Sequence, residues 1–267
     1  MNLFPLENPA KKKLAEGGLV LCMGIRQART VDVLMVAAQC GFDSFYVDME
    51  HSPISHETAA ALCAGSLGLG LTPVVRIAGQ NGHDATRLLD GGALGLIIPH
   101  VNDAAQARAI VDACRHPPEG HRSVAGSGPV LGYQSMPAAE VNAAANARTL
   151  LILMIETPQA VENADAIAAV PGFDVLLIGS SDLSTEMGIA GQFRHERMLA
   201  AQATVAAACR KHGKVYGIAG LSADFELQAQ LIGKGARFVM TGSEVNYFAT
   251  AARAEAAKYR AVPLGKS

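Results

Sequence analysis

No apolar run in this sequence approaches the roughly 20 residues needed to cross a bilayer. The first stretch, with Pro5, Glu7 and Lys11 to Lys13, also lacks the apolar core of a secretion signal. A cytoplasmic location without a membrane partner is therefore expected. Excess charge is missing too: 22 basic residues face 24 acidic ones, a formal charge of -2, which leaves no electrostatic footprint for nucleic acid. The expected partner is a small molecule. Cysteine is sparse. Cys22, Cys40, Cys63, Cys114 and Cys209 are odd in number, widely spaced and never in a C-x-x-C pair, which argues against a zinc cluster or a disulfide framework and predicts reduced core thiols. Linkers, low-complexity tracts and clear internal repeats are likewise lacking, so residues 1–267 read as one domain.

What the chain does contain is alternation. Short β-rich apolar runs are separated by longer Ala-rich amphipathic stretches, the pattern of parallel strands joined by crossover helices. Eight strands are expected near Leu19 to Met23, Ser44 to Asp48, Pro73 to Ile77, Leu94 to Ile98, Leu150 to Ile155, Val175 to Ile178, Val215 to Ala219 and Phe238 to Thr241. Stretches such as Asp103 to Arg115 and Glu196 to Lys211 are rich in helix formers and long enough to cross back over a sheet. Eight such units predict a closed (β/α)8 barrel. The rival open sheet usually carries a Gly-rich dinucleotide turn after its first strand, and here that turn reads Gly24-Ile25-Arg26-Gln27. One connection, around 116–149, is long and rich in Pro and Gly; it reads equally as a functional loop or a tolerated insertion. The lysine run at 11–13 reads as the solvated face of a short helix.

Barrel enzymes place their chemistry at the C-terminal ends of the strands, and polar residues gather there in this sequence. Glu156 follows the apolar run Leu150 to Ile155, so a carboxylate arrives at the end of a buried strand and needs a cation. Asp182 follows the next strand, and neighbouring strands lie about 5 Å apart, close enough for two carboxylates to share a hard divalent ion. The alternatives are an arginine partner for either acid or, for Asp182, a helix cap. Asp48 and His51 are spaced so that a turn could set the carboxylate against the imidazole and orient it as a general base; capping acids before a surface histidine are the plainer reading. Arg76 ends its strand with no acid close in sequence, which suits an anionic substrate or a developing enolate, or else an ion pair across the mouth. Gly179, Ser180 and Ser181 could offer backbone N–H groups to a carboxylate.

Taken in order, several segments resemble the HpcH/HpaI aldolase family over almost the whole chain. They are Phe45 to Pro53 (FYVDMEHSP), Pro73 to Arg76, Leu89 to Ala93, Ile98-Pro99 with Val101-Asn102, Pro117 to Gly120 with Arg122-Ser123, Glu156-Thr157 and Asp182 to Ser184. The resemblance implies a (β/α)8 barrel in which Glu156 and Asp182 hold a divalent cation, Mg²⁺ or Mn²⁺ with Co²⁺ as a further choice. It implies reversible aldol cleavage of 4-hydroxy-2-oxo acids to pyruvate or hydroxypyruvate and an aldehyde. Arg76 would stabilise the enolate, His51 oriented by Asp48 would move the proton, and the backbone of Gly179 to Asp182 would hold the substrate carboxylate. A homohexamer is implied as well, with Asp90 or the long loop acting from a neighbouring subunit. Two positions depart from the family pattern: Ser180 stands where a proline is common, and His100 where an apolar residue is common. The rival readings are a Schiff-base aldolase, for which no lysine ends a strand, a CoA-ester lyase of the citrate lyase β-chain type, for which no basic groove is apparent, and a non-catalytic 2-oxo-acid-binding barrel. Only a catalyst has use for His51 as an oriented base.

Overall fold

The computed structural model describes residues 7–80 and 82–264. Eight parallel strands, β1 (Val20–Ile25), β2 (Ser44–Asp48), β3 (Thr72–Arg76), β4 (Gly95–Ile98), β5 (Leu150–Ile155), β6 (Val175–Gly179), β7 (Val215–Ala219) and β8 (Phe238–Ser243), pair in sequence order, and β8 returns to β1 to close the barrel. The helices are α1 (Pro9–Ala15), α2 (Asp32–Gln39), α3 (His56–Ser66), α4 (Gly82–Asp90), α5 (Ala104–Cys114), α6 (Ala138–Arg148), α7 (Pro158–Glu162), α8 (Ala164–Ala168), α9 (Ser180–Glu186), α10 (Glu196–His212), α11 (Phe225–Gly233) and α12 (Glu244–Arg260). None is long and apolar enough to cross a membrane among the described residues.

Strand side chains alternate between two apolar compartments, as the period of two requires. On β5, Leu150, Ile152 and Met154 fill the barrel interior with Val20, Cys22, Tyr46, Val74 and Phe238, while Leu151, Leu153 and Ile155 pack outward against the helices. This parity positions the site. Counting on by two from interior residues gives Glu156 after Met154, Asp48 after Tyr46 and Arg76 after Val74, so each polar group emerges at the mouth on the axial side.

Two expectations change, and the long connection takes its place in the fold. The lysine run does not form a simply solvated face: Ala10 and Leu14 of α1 plug the N-terminal end of the barrel, Lys11 is paired with Asp174 at 2.9 Å and Lys13 with Asp43 at 2.6 Å. The long connection follows α5, as the helix expected over Asp103 to Arg115 requires, and therefore starts at the N-terminal end, away from the mouth; its second half is α6. Four cysteines are buried, but Cys40 is exposed at the end of α2.

Helix α12 stands apart. None of its residues is buried, and Phe248 and Tyr259 are each 74 % exposed.

Candidate active site

The C-terminal ends of the strands surround a cavity of about 270 Å³. Glu156, Asp182, Arg76, His51 and the segment Gly179 to Ser181 all line it, so residues separated by over a hundred positions in sequence converge on one space.

Glu156 is 1 % exposed. Its Oε2 accepts the backbone N–H of His100 at 2.9 Å. Burial pushes its carboxyl up to about 7; the His100 contact opposes the shift, and the negative charges of Asp182 and Glu50 add to it. Room for this side chain comes from Gly179, where a Cβ would lie 2.5 Å from Glu156 Oε1. A buried carboxylate with acids for neighbours is poor company for itself, and a cation is the simplest remedy. No three His, Cys, Asp or Glu side chains converge as a closed metal site among the described residues. Two carboxylates, Glu156 and Asp182, nevertheless open into one cavity, and oxygen donors of this kind suit a hard divalent ion.

Asp48 and Arg76 occupy paired positions on β2 and β3. Arg76 donates to Asp48 through Nε at 3.1 Å and Nη2 at 2.7 Å, and its Nη1 stands 3.3 Å from Glu50. Burial works against both charges, yet this two-pronged contact outweighs it, holding the Asp48 carboxyl below and the Arg76 guanidinium above their ordinary values. The expected contact of Asp48 with the His51 ring is corrected: Asp48 Oδ1 instead accepts the backbone N–H groups of Glu50 and His51, at 3.2 and 3.1 Å. The His51 imidazole faces Glu50 Oε2 at 3.8 Å. Asp48 sets the turn and fixes Arg76; it does not steer the ring.

Asp90, expected to act from a neighbouring subunit, stands away from this chain's own cavity. As the last residue of α4 it lies towards the N-terminal end of the barrel, bonded to Arg122 Nη2 at 2.5 Å, and it does not line this chain's cavity. Ser180 begins α9, and Gln202 donates to its hydroxyl at 3.4 Å, a tether in place of a rigid ring. His100 belongs to the site. Its backbone takes the left-handed region, φ 55°, aiming the N–H at Glu156 while the ring spans Glu156 and Glu50, at 3.4 and 3.3 Å.

Sequence reasoning gave no role to Arg26, Ser222 or Asn246, all of which line the cavity. For Arg26 the signal was present, since it continues the interior series Val20, Cys22, Gly24. No lysine is among the lining residues, and Lys214 donates to the Phe173 carbonyl at 2.8 Å at the other end of the barrel. Among the described residues no lysine amine stands at the cavity to form a Schiff base.

Comparison with known proteins matches this architecture to one family. The HpcH/HpaI aldolase/citrate lyase profile covers residues 27–251. A 4-hydroxy-4-methyl-2-oxoglutarate aldolase of Hapsidospora irregularis is 43 % identical over 249 residues, 92 % of each chain. A hydroxypyruvate/pyruvate aldolase of Cupriavidus necator is 33 % identical over 260 residues, 97 % of this chain and 95 % of its own. The crystal structure of an HpcH/HpaI aldolase from Desulfitobacterium hafniense superposes with a TM-score of 0.88 at 29 % identity, covering 96 % of this chain and 98 % of that one. The chain belongs to the HpcH/HpaI aldolase/citrate lyase family of carbon–carbon lyases.

Proposed function

We propose that this chain is a divalent-metal-dependent aldolase that reversibly cleaves 4-hydroxy-2-oxo acids at the C3–C4 bond, releasing pyruvate or hydroxypyruvate and a carbonyl partner. The observation that carries the reading is Glu156: a buried carboxylate opening into the same cavity as Asp182, Arg76 and His51. Glu156 and Asp182 would hold the cation. When bound, it supplies Lewis-acid polarisation of the 2-oxo group and charge stabilisation for the enolate.

The chain's own residues supply the rest. His51 takes the proton from the C4 hydroxyl, C4 becomes a carbonyl, and the electron pair of the C3–C4 bond passes into the 2-oxo group to leave the enolate. Proton uptake at C3 completes the 2-oxo acid product. Arg76, held rigid by Asp48, donates N–H to the developing oxyanion without reorganising at the moment of reaction. Backbone N–H groups from Gly179 to Asp182 hold the substrate carboxylate. A part for Asp90 in this chemistry requires a second copy, and the uncovered apolar residues of α12 support a homo-oligomer.

The reading is tested by pyruvate C3-proton exchange in deuterated water, followed by NMR on chelator-stripped protein with and without Mg²⁺ or Mn²⁺. Exchange restored by metal is the expected result. Metal-independent exchange removes the cation from the chemistry, and no exchange under either condition overturns the pyruvate-enolate reading.

A further inference from the structure

We propose that Arg26 selects a carbonyl partner that itself bears a carboxylate, so that the bond broken joins two acid fragments. The inference rests on the aldolase reading above and deepens it by naming the class of the second product.

The placement follows from strand parity and barrel closure. Arg26 lies just beyond β1 on the interior side of the series Val20, Cys22, Gly24, and its side chain lines the cavity at 41 % exposure. In a ring of eight consecutive strands, β1 stands opposite β5, which carries Glu156. A 2-oxo acid held by its C1–C2 end at the β5–β6 side therefore extends C3, C4 and the group on C4 across the mouth towards β1 and β2. His51, from the loop after β2, meets the C4 hydroxyl on that side. Arg26 meets what lies beyond it.

The guanidinium is only partly engaged by the protein. Its Nε stands 3.3 Å from Asp48 Oδ2, but the Asp48 oxygens already serve the two-pronged contact with Arg76 and two backbone N–H groups. Its Nη2 donates to the His51 carbonyl at 2.9 Å, and its Nη1 makes no hydrogen bond to a described residue. A fork of N–H donors facing a cavity is suited to a carboxylate and has little to offer an alkyl group. The anchor beneath it is stiff. Glu244, at the start of α12, accepts three consecutive backbone N–H groups on its Oε1, from Arg26 at 2.8 Å, Gln27 at 2.6 Å and Ala28 at 3.1 Å. Such a nest fixes the loop from which the Arg26 side chain departs, making Glu244 a positioning residue.

The test uses the metal-loaded protein and two substrates that differ at C4. 4-Hydroxy-2-oxoglutarate carries a carboxylate there, and 4-hydroxy-2-oxopentanoate a methyl group. The wild-type chain should favour the first. Arg26→Met should lower the ratio of the two kcat/KM values by about 10- to 100-fold, the weight of a charge-assisted contact, chiefly through KM for the carboxylated substrate. Arg26→Lys should fall between, and Glu244→Gln should shift the ratio in the same direction by less. A ratio that moves by less than about threefold in Arg26→Met overturns the proposal. Pyruvate proton exchange, which needs no partner molecule, separates the two failures. Exchange with no preference for the carboxylated substrate overturns the role of Arg26 alone, whereas a wild-type chain without exchange overturns the aldolase reading and this inference with it.

Discussion

At the N-terminal end of the barrel Arg115 is 2 % exposed, and its charge is well met. It donates to the carbonyls of Gly172 at 2.8 Å, Asn146 at 2.5 Å and Thr149 at 3.1 Å, and stands 3.3 Å from Asp174. At the C-terminal end Glu156 is buried just as deeply, yet its partners are one backbone N–H and the ring of His100, while Asp182 and Glu50 act against its charge. The first arrangement holds loops together and is complete as it stands. The second leaves an unmet demand for positive charge, and that demand marks where the chemistry belongs.

The sharpest way to break this comparison is to neutralise Glu156. Glu156→Gln should lower kcat on the order of 10³-fold, since on the proposed reading a ligand of the cation is lost. The metal-free variant should nonetheless melt higher than metal-free wild type near neutral pH. The sign follows from the raised pKa: the folded chain holds this proton more tightly than the unfolded chain. Stability from Glu156 is therefore present below the ordinary carboxylate value of 4.5 and is lost as pH rises towards about 7. Calorimetry of the stripped proteins from pH 5 to 8 should show the wild type losing on the order of 1–3 kcal/mol relative to the variant. Parallel curves would mean that Glu156 is already satisfied.

Arg115 supplies the opposite case. Arg115→Ala should cost about 3–5 kcal/mol of folding stability, because it strips a buried ion pair of one partner. Denaturant titration measures the loss, and turnover per folded molecule should stay at the wild-type value. A large fall in kcat with unchanged stability would reverse the roles assigned to the two ends. The smallest expected effect is at Gly179, where an alanine Cβ would press on Glu156 Oε1. Gly179→Ala should weaken metal binding by about tenfold with little change in melting temperature, read by titration calorimetry. Equal metal affinity would show that Glu156 has room to turn aside.

The strands were legible because barrel interiors and helix-facing surfaces are both apolar, so each strand reads as a short continuous run bounded by polar residues. β2, β5 and β7 fall on the expected residues, and β1 and β8 run on by two. Glu156 and Asp182 were legible for the same reason, as charges at the ends of such runs. An ion pair was one of the readings for Arg76, but Asp48 was not named as its partner although the signal existed: both residues end adjacent strands, and equal register pairs them. Looking for an acid close in sequence was the wrong test, because neighbours in a parallel sheet are a whole crossover apart. Glu244 gave no local signal at all, being 218 residues from Arg26.

The nest formed by Glu244 also fixes an order of assembly. A chain emerging from the ribosome can fold its early strands and present β1 with the loop that follows it, but the carboxylate that pins that loop is made more than two hundred residues later. The lip of the cavity is therefore set last, when β8 closes against β1, and a nascent chain cannot hold Arg26 in its working place before the barrel is shut.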